Sequence, residues 1–477
     1  MPYFSFVWSG RCVICLLLLI STVALAEEDT GLLPGAESDS QGHAARRLVL
    51  CLDGTSDSAF DKTPVGDGTF VLKPTNVLKL CRSVMPRDIH GTNQINYYLT
   101  GVGSVSRFPG ASNALYSYMD RFLGGIWGAG FEANIQQALS FLIMNYRTGD
   151  EVYIFGFSRG AATARGVTRF LAWSGGMPHK EDSYYMPIMF REFIRQRGGG
   201  DVQTWIDKVN ADRALHAPRQ EPLRPFRQIP VTYLGVWDTV TALGSRFQPT
   251  GVGNATAEQN FFVAARPSKV VLHARQALAI DERRFDFRPE VWHGPLPGQT
   301  LEQRWFPGVH SNVGGGYLHD GLANGAFRWL LEGARVHGLT VEQAFVDHYR
   351  PYPQDSLYDS YSLGIAIVDA LRFRLGDGVR HLTGYPAGAN LGVDASAFER
   401  MASDPAATYP DGDLRYPRME GKLYRPRNLL QYLACVDDVE AVLSAAQAPG
   451  QELVLPDDVR QALNELASHC PNGGGNG

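Results

Sequence analysis

Three residues of this chain have the types, order and settings that nucleophilic acyl transfer requires. The first is Ser158, within Gly156-Phe157-Ser158-Arg159-Gly160, a G-x-S-x-G pattern. The apolar run VYIF leads into it and the helical run AATARGVTRFL leads away. A serine at such a strand-to-helix turn is held in a strained backbone conformation with its hydroxyl exposed. Larger side chains two positions before or after it would collide, which accounts for Gly156 and Gly160, while Ala161 and Ala162 let the helix approach the sheet. The helix N-terminus directs its amides at developing negative charge. A Gly-Ser turn capping an ordinary helix looks the same locally, so the reading depends on finding an acid and a base.

Asp238 ends the run Val231 to Trp237 and so stands at the carboxyl edge of a sheet, the edge that also carries Ser158. There it would accept the Nδ1 proton of a histidine and hold the ring's tautomer. Its plain alternative is an N-cap for Thr239-Val240-Thr241. The nearest downstream candidates for the base are His273, His293, His310 and His319. His310 follows QRWF through Pro307-Gly308-Val309 and precedes SNVGGG, a small-residue loop able to carry it to the serine. His273 sits in VVLHARQALAI, which reads as a helix, and a structural role is expected of it. The order Ser, Asp, His is that of α/β-hydrolases. In that fold one oxyanion amide belongs to the residue after the serine, here Arg159, and the other to the loop after an early strand, here Gly54 or Thr55. Asp53 is expected to brace that loop; a plain strand-ending Asp-Gly turn is the alternative.

The elements that must position these groups alternate along the chain. Leu48 to Leu52 reads as a strand buried on both faces, as in a parallel sheet. Residues 75–85 read as a helix, Ile95 to Leu99 as a strand and residues 131–147 as a long helix. Further strands are expected at Val152 to Phe155, Val231 to Trp237 and Gln303 to Phe306, and helix resumes near Ala326. This predicts an α/β fold: a mostly parallel sheet flanked by helices, over residues 46–340. Two stretches break the alternation, an insertion or lid at 175–228 and a helical, loop-rich C-terminal extension at 341–470. In the insertion, Tyr185, Met186, Met189, Phe190, Phe193 and Ile194 share one helical face beside Arg191, Arg195 and Arg197. Such a face either packs on a core or covers the pocket and meets anionic lipid in transient contact with a membrane surface. Pro187 interrupts its first turn.

The segments YIFGFSRGAATAR, YLGVWDTV, ALAIDERR and FPGVHSNVGGGY together resemble a widespread α/β-hydrolase family that supplies the catalytic domain of type VI secretion phospholipase effectors. The likeness covers roughly residues 46 to 340. The family's serine, aspartate and histidine fall on Ser158, Asp238 and His310, and its aspartate-glycine-threonine turn on Asp53, Gly54 and Thr55. The resemblance implies hydrolysis of phospholipid or another lipid ester. Effectors of that class generally lack a signal peptide, and the tail beyond residue 340 shows no match.

Other chemistries fit poorly. LDGT lacks the nucleophile of D-x-D-G-T phosphatases, because Cys51 stands in its place. Gly128-Ala129-Gly130 with Ala133 lies far from any preceding strand, which argues against dinucleotide binding. Beyond the N-terminal apolar run there is no CxxC, HExxH or Asp-rich loop, so neither a metal nor a cofactor is expected. The expected reaction is acyl transfer to water through an acyl-enzyme on a lipid ester. The alternatives are an esterase, thioesterase or acyltransferase acting on a soluble substrate, or a non-catalytic binding protein that keeps the fold.

At 477 residues the chain exceeds one ordinary core, and its 44% hydrophobic and 19% charged content is that of a globular protein. A net charge of −5 argues against nucleic acid as partner. Arg11, the apolar run Cys12 to Ala26 ending in Ala24-Leu25-Ala26, and the acidic Glu27-Glu28-Asp29 read as a signal peptide over residues 1–26 and an exported, periplasmic or secreted protein. An uncleaved membrane anchor is the alternative. Residues 27–45 then form a polar, flexible lead and residues 471–477 a disordered tail. The cysteines left are Cys51, Cys81, Cys435 and Cys470, of which the last two flank a helical stretch that a disulfide would close. N-terminal sequencing of exported protein should begin near Glu27; Met1 on exported protein would establish the anchor instead.

Overall fold

Strands alternating with helices assemble into one seven-stranded sheet. The computed structural model describes residues 44–54, 62–64, 70–101, 127–219, 221–224, 227–240, 262–361, 378–403 and 423–470. Residues 1–26, read as a signal peptide, nearly all of 27–45, Thr55 and residues 471–477 lie outside the described residues. In chain order the first elements are β1 (Arg47–Leu52), a small antiparallel pair β2 (Lys62–Pro64) and β3 (Phe70–Leu72), α1 (Asn76–Ser83) and β4 (Gln94–Leu99). Next come α2 (Trp127–Asn145), β5 (Glu151–Phe157), α3 (Arg159–Ser174), α4 (Met186–Arg195), α5 (Val202–His216) and β6 (Val231–Trp237). They are followed by β7 (Val271–Ala279), β8 (Thr300–Phe306), α6 (His310–Gly314), α7 (Gly321–Val336) and α8 (Gln343–His348). The chain ends with β9 (Leu391–Val393), α9 (Ala395–Ala402), α10 (Arg427–Ala434), α11 (Val439–Ala446) and α12 (Asp457–Ala467).

The sheet order is β4-β1-β5-β6-β7-β8-β9, and every neighbouring pair is parallel. The α/β-hydrolase architecture expected from the motifs is therefore the one observed, with the helical C-terminal region in place. Because successive strand residues face opposite ways, Leu48, Leu50 and Leu52 join a core with α2, α3 and α4, while Val49 and Cys51 join another with α1 and α7. A third cluster lies over β8 and β9, where Leu278, Ile280 and Trp305 meet Leu429, Leu433 and Val459 of the C-terminal helices. A disulfide joins Cys435 and Cys470 there, the two cysteines that flank the helical stretch, and Cys51 and Cys81 are free and buried.

Two readings change. VLHARQALA forms β7 and not a helix, although Ala, Leu, Gln and Arg all favour helix. Its backbone is paired on both sides, with β6 and β8, so sheet pairing overrides local propensity. His273 near its start accepts or donates a hydrogen bond with Thr300 Oγ1 at 2.8 Å and stacks on His337 at 3.5 Å, a structural role at the end of the sheet away from Asp238.

The apolar face of α4 packs inward. Met186, Met189, Phe190 and Phe193 are buried, and the Phe193 ring lies 5.3 Å from Phe170 and 5.5 Å from Trp173, both on α3. Arg191, Arg195 and Arg197 face solvent. Pro187 sits in the first turn, where its missing N–H costs nothing, so it opens the helix and does not interrupt it. Phe193→Ala should therefore lower stability by about 3–5 kcal/mol, read as a shift of the denaturation midpoint. An unchanged midpoint would mean that this helix is not part of the core.

Candidate active site

The strand β5 is buried along nearly its whole length and delivers Ser158 directly to the start of α3. Ser158 has φ 56° and ψ −122°, a conformation non-glycine residues avoid at a cost of about 1–3 kcal/mol. Two contacts hold it there. Its N–H donates to the carbonyl of Trp237 at 3.1 Å, tying the turn to the end of β6, and its carbonyl accepts from Ala162 N. The helix begins hard against β1: a Cβ on Gly160 would lie 2.1 Å from the carbonyl oxygen of Leu52.

Phe157 pairs with Trp237 in the register of β5 and β6, so Ser158 and Asp238 leave adjacent strands at the same level. Asp238 is fully buried and also has positive φ, 41°. Its Oδ2 meets His310 Nδ1 at 2.6 Å, and its Oδ1 accepts from Ala279 N at 3.0 Å. Two further donors come from a residue the sequence reading passed over, Arg380 in the C-terminal extension: Nη1 to Oδ1 at 2.6 Å and Nη2 to Oδ2 at 2.9 Å. Burial alone would push the Asp238 carboxyl up, but the Arg380 charge and the His310 bond hold it below the usual range.

His310 opens the short helix α6 after β8, and its ring lies 4.6 Å from Phe157 and 4.8 Å, edge-on, from Phe287. Burial lowers its pKa, and the Asp238 bond only partly offsets that, so the imidazole is neutral at neutral pH. With Nδ1 on the carboxylate, Nε2 is the nitrogen left to take a proton. No hydrogen bond joins the Ser158 hydroxyl to the imidazole among the described residues; Phe157, next to Ser158, provides the contact between them.

The histidine loop is held by the aspartate and glutamate of ALAIDERR, which sequence reading singled out only as part of a resemblance. Asp281 Oδ2 accepts Gly308 N at 2.6 Å and Tyr424 OH at 2.9 Å. Glu282, fully buried, accepts the His310 amide at 3.2 Å and a bidentate fork from Arg284. Burial would raise the Glu282 carboxyl, yet Arg284 keeps it far below the carboxylate range. SNVGGG is small for a steric reason: a Cβ on Gly314 would lie 1.9 Å from the Phe157 ring.

The sequence-derived oxyanion group is placed in part. Arg159 opens α3, and amides of a first turn have no acceptor within the helix. The Gly54 amide donates to Asp53 Oδ1 at 2.8 Å. Asp53 Oδ2 in turn accepts from Thr75 Oγ1 at 2.8 Å and Tyr98 OH at 2.5 Å, the bracing role expected of it. Thr75 also caps α1, and Asn76 Nδ2 donates to the carbonyls of Val313 and Ala323, so one turn links the β1 loop to the histidine helix.

With this geometry in hand, comparison with known proteins places the chain. A family described as the type VI secretion phospholipase effector Tle1-like catalytic domain matches residues 46–333. An uncharacterized protein of Saccharomyces cerevisiae, YEL023C, is 24% identical over 262 residues, 54% of this chain and 34% of its own length. The chain thus spans about a third of that curated relative. Among solved structures, an uncharacterized protein from Pseudomonas aeruginosa is 15% identical with a TM-score of 0.38, over 90% of this chain and 63% of that one. The Tle1 effector bound to the VgrG spike of the type 6 secretion system is 17% identical with a TM-score of 0.36, over 73% and 84%.

Because backbone atoms and not side-chain tips approach Gly160, Gly160→Ala should destabilise the protein by about 1–3 kcal/mol or more in a denaturation titration. Parental stability would mean that α3 does not pack on β1 this closely.

Proposed function

Because the chain belongs to the family of type VI secretion Tle1-like phospholipase effector catalytic domains, we propose that it is a serine hydrolase that cleaves carboxylic esters of lipids through an acyl-enzyme. The observation that supports this most is the 2.6 Å contact of His310 Nδ1 with the buried Asp238, at the strand edge where Ser158 is held in its strained turn. In this reading His310 Nε2 takes the Ser158 proton as Oγ attacks the ester carbonyl. The imidazolium then protonates the departing alkoxide, and water attacks the acyl-enzyme with His310 again as base. The Arg159 amide serves the oxyanion from the helix terminus, and the second donor comes from the β1 loop at Gly54 or Thr55. The Gly54 amide already donates to Asp53 Oδ1.

Lipid or phospholipid as the ester class rests on family membership. The inward packing of α4 takes away the separate support that an apolar lid would have lent, so soluble esters remain the second reading. A panel of phospholipids and short-chain esters separates the two. Export through residues 1–26 belongs to the same proposal and places the enzyme outside the cytoplasm.

Ser158→Ala and His310→Ala should fold and lose ester hydrolysis, and labelling of Ser158 by an activated phosphonate should vanish in the first. Asp238→Asn should cost on the order of 10⁴ in kcat, as it does in other triads. Since the base works only when neutral, activity should fall as pH drops through a His310 pKa lying below the ordinary value of about 6.5. Turnover retained by a folded Ser158→Ala protein would falsify the assignment.

A further inference from the structure

One side chain of the C-terminal extension enters the site. Arg380 lies beyond the family match, which ends at residue 333, and is buried. Its guanidinium is shared between two tasks. Nη1 and Nη2 each donate to one oxygen of Asp238, at 2.6 and 2.9 Å, and each also donates to a backbone carbonyl, Ala279 and Phe287. Its own backbone is held in turn. Asn428 of α10 donates Nδ2 to Arg380 O at 3.1 Å and to Ile280 O at 2.9 Å. The fork is thus anchored to the end of β7, to the Phe287 turn and to the C-terminal helices.

Resting on the reading of Asp238 as the acid of the triad, we propose that Arg380 is a positioning residue for the reaction, fixing both carboxylate oxygens so that one of them meets His310 Nδ1. The C-terminal segment is thereby part of the catalytic apparatus. A planar fork matches a carboxylate in two parallel bonds and fixes its rotation in a way a point charge does not. Its charge has a second effect. The charged groups that face His310 are Asp238 at the end of β6, with Arg380 behind it, and Glu282 and Arg284 after β7; Phe157 and Phe287 contribute uncharged rings. Without Arg380 the two carboxylates oppose Arg284 alone, the imidazolium is favoured, and the base is protonated at higher pH.

The full chain serves for the test, with Arg380→Met removing charge and fork and Arg380→Lys keeping the charge alone. The readings are the pH profile of kcat/KM on a soluble short-chain nitrophenyl ester, kcat at the plateau, and folding by circular dichroism. In Arg380→Met the acidic limb should move up by about one pH unit. In Arg380→Lys the limb should stay near the parental position while kcat falls about 10-fold or more, an effect of geometry alone. A folded Arg380→Met protein with the parental limb overturns the proposal. If that variant does not fold, Arg380→Lys decides, and parental kcat there overturns it. Ser158→Ala is measured alongside: if it still turns over, the triad itself is wrong, whereas an inactive Ser158→Ala with parental arginine variants removes only the role of Arg380.

Discussion

The site depends on one buried carboxylate. Asp238 has no exposure to water, and an ion so placed costs several kcal/mol unless charge and hydrogen bonds compensate. Compensation comes from three separate stretches of chain: the Ala279 amide at the end of β7, the imidazole after β8, and the Arg380 fork from the C-terminal extension. None of these is a neighbour of Asp238 in sequence. The parallel register brings them together, because Trp237 pairs with Ala277 and Asp238 N donates to Ala277 O at 2.7 Å. A slip of one residue would turn every side chain to the opposite face and leave the carboxylate without donors.

The same register concentrates strain where the chemistry is expected. Ser158 and Asp238 are two of four described non-glycine residues with positive φ, and they leave adjacent strands side by side. Each is pinned by a backbone bond to the strand beyond it, Ser158 N to Trp237 O and Asp238 N to Ala277 O. Sheet pairing that continues one residue past each strand thus holds what local preference would release. Gly160 and Gly314 belong to this arrangement as spaces. One lets the helix start against β1, and the other lets the Phe157 ring lie between the serine turn and the histidine helix.

Much of this was legible because its signals are local. Apolar runs ending in turn residues marked β1, β5 and β6, and the glycine spacing around Ser158 marked the turn, since both follow from steric limits within a few residues. β7 was misread because VLHARQALA carries helix-favouring residues, and only neighbours far away in sequence make it a strand. Phe190 and Phe193 were ambiguous for the opposite reason: an amphipathic stripe reports that a face is covered and not what covers it. Arg380 left no local signal: a buried arginine is recognised by its partner, and Asp238 lies 142 residues away. Glu282 has its charge partner Arg284 two residues on, but its bond to the His310 amide spans 28 residues and shows only in the fold.

That separation bears on where the catalytic unit ends. Likeness to the family stops at residue 333, yet β9 pairs with β8, Asp394 N donates to Trp305 O at 2.9 Å, and the C-terminal helices share a core with Leu278 and Ile280. Tyr424 and Ser360 also hydrogen-bond to Asp281 and Glu282, the carboxylates that hold the histidine loop. The disulfide between Cys435 and Cys470 closes the helical segment that supplies Asn428 with its support, and Asn428 in turn holds Arg380. A chain cut after α7 would keep the serine, the aspartate and the histidine and would take the Arg380 donors away from Asp238. The limit of family likeness is therefore not a limit of packing, because the extension shares a core and hydrogen bonds with the strands and the carboxylate of the site.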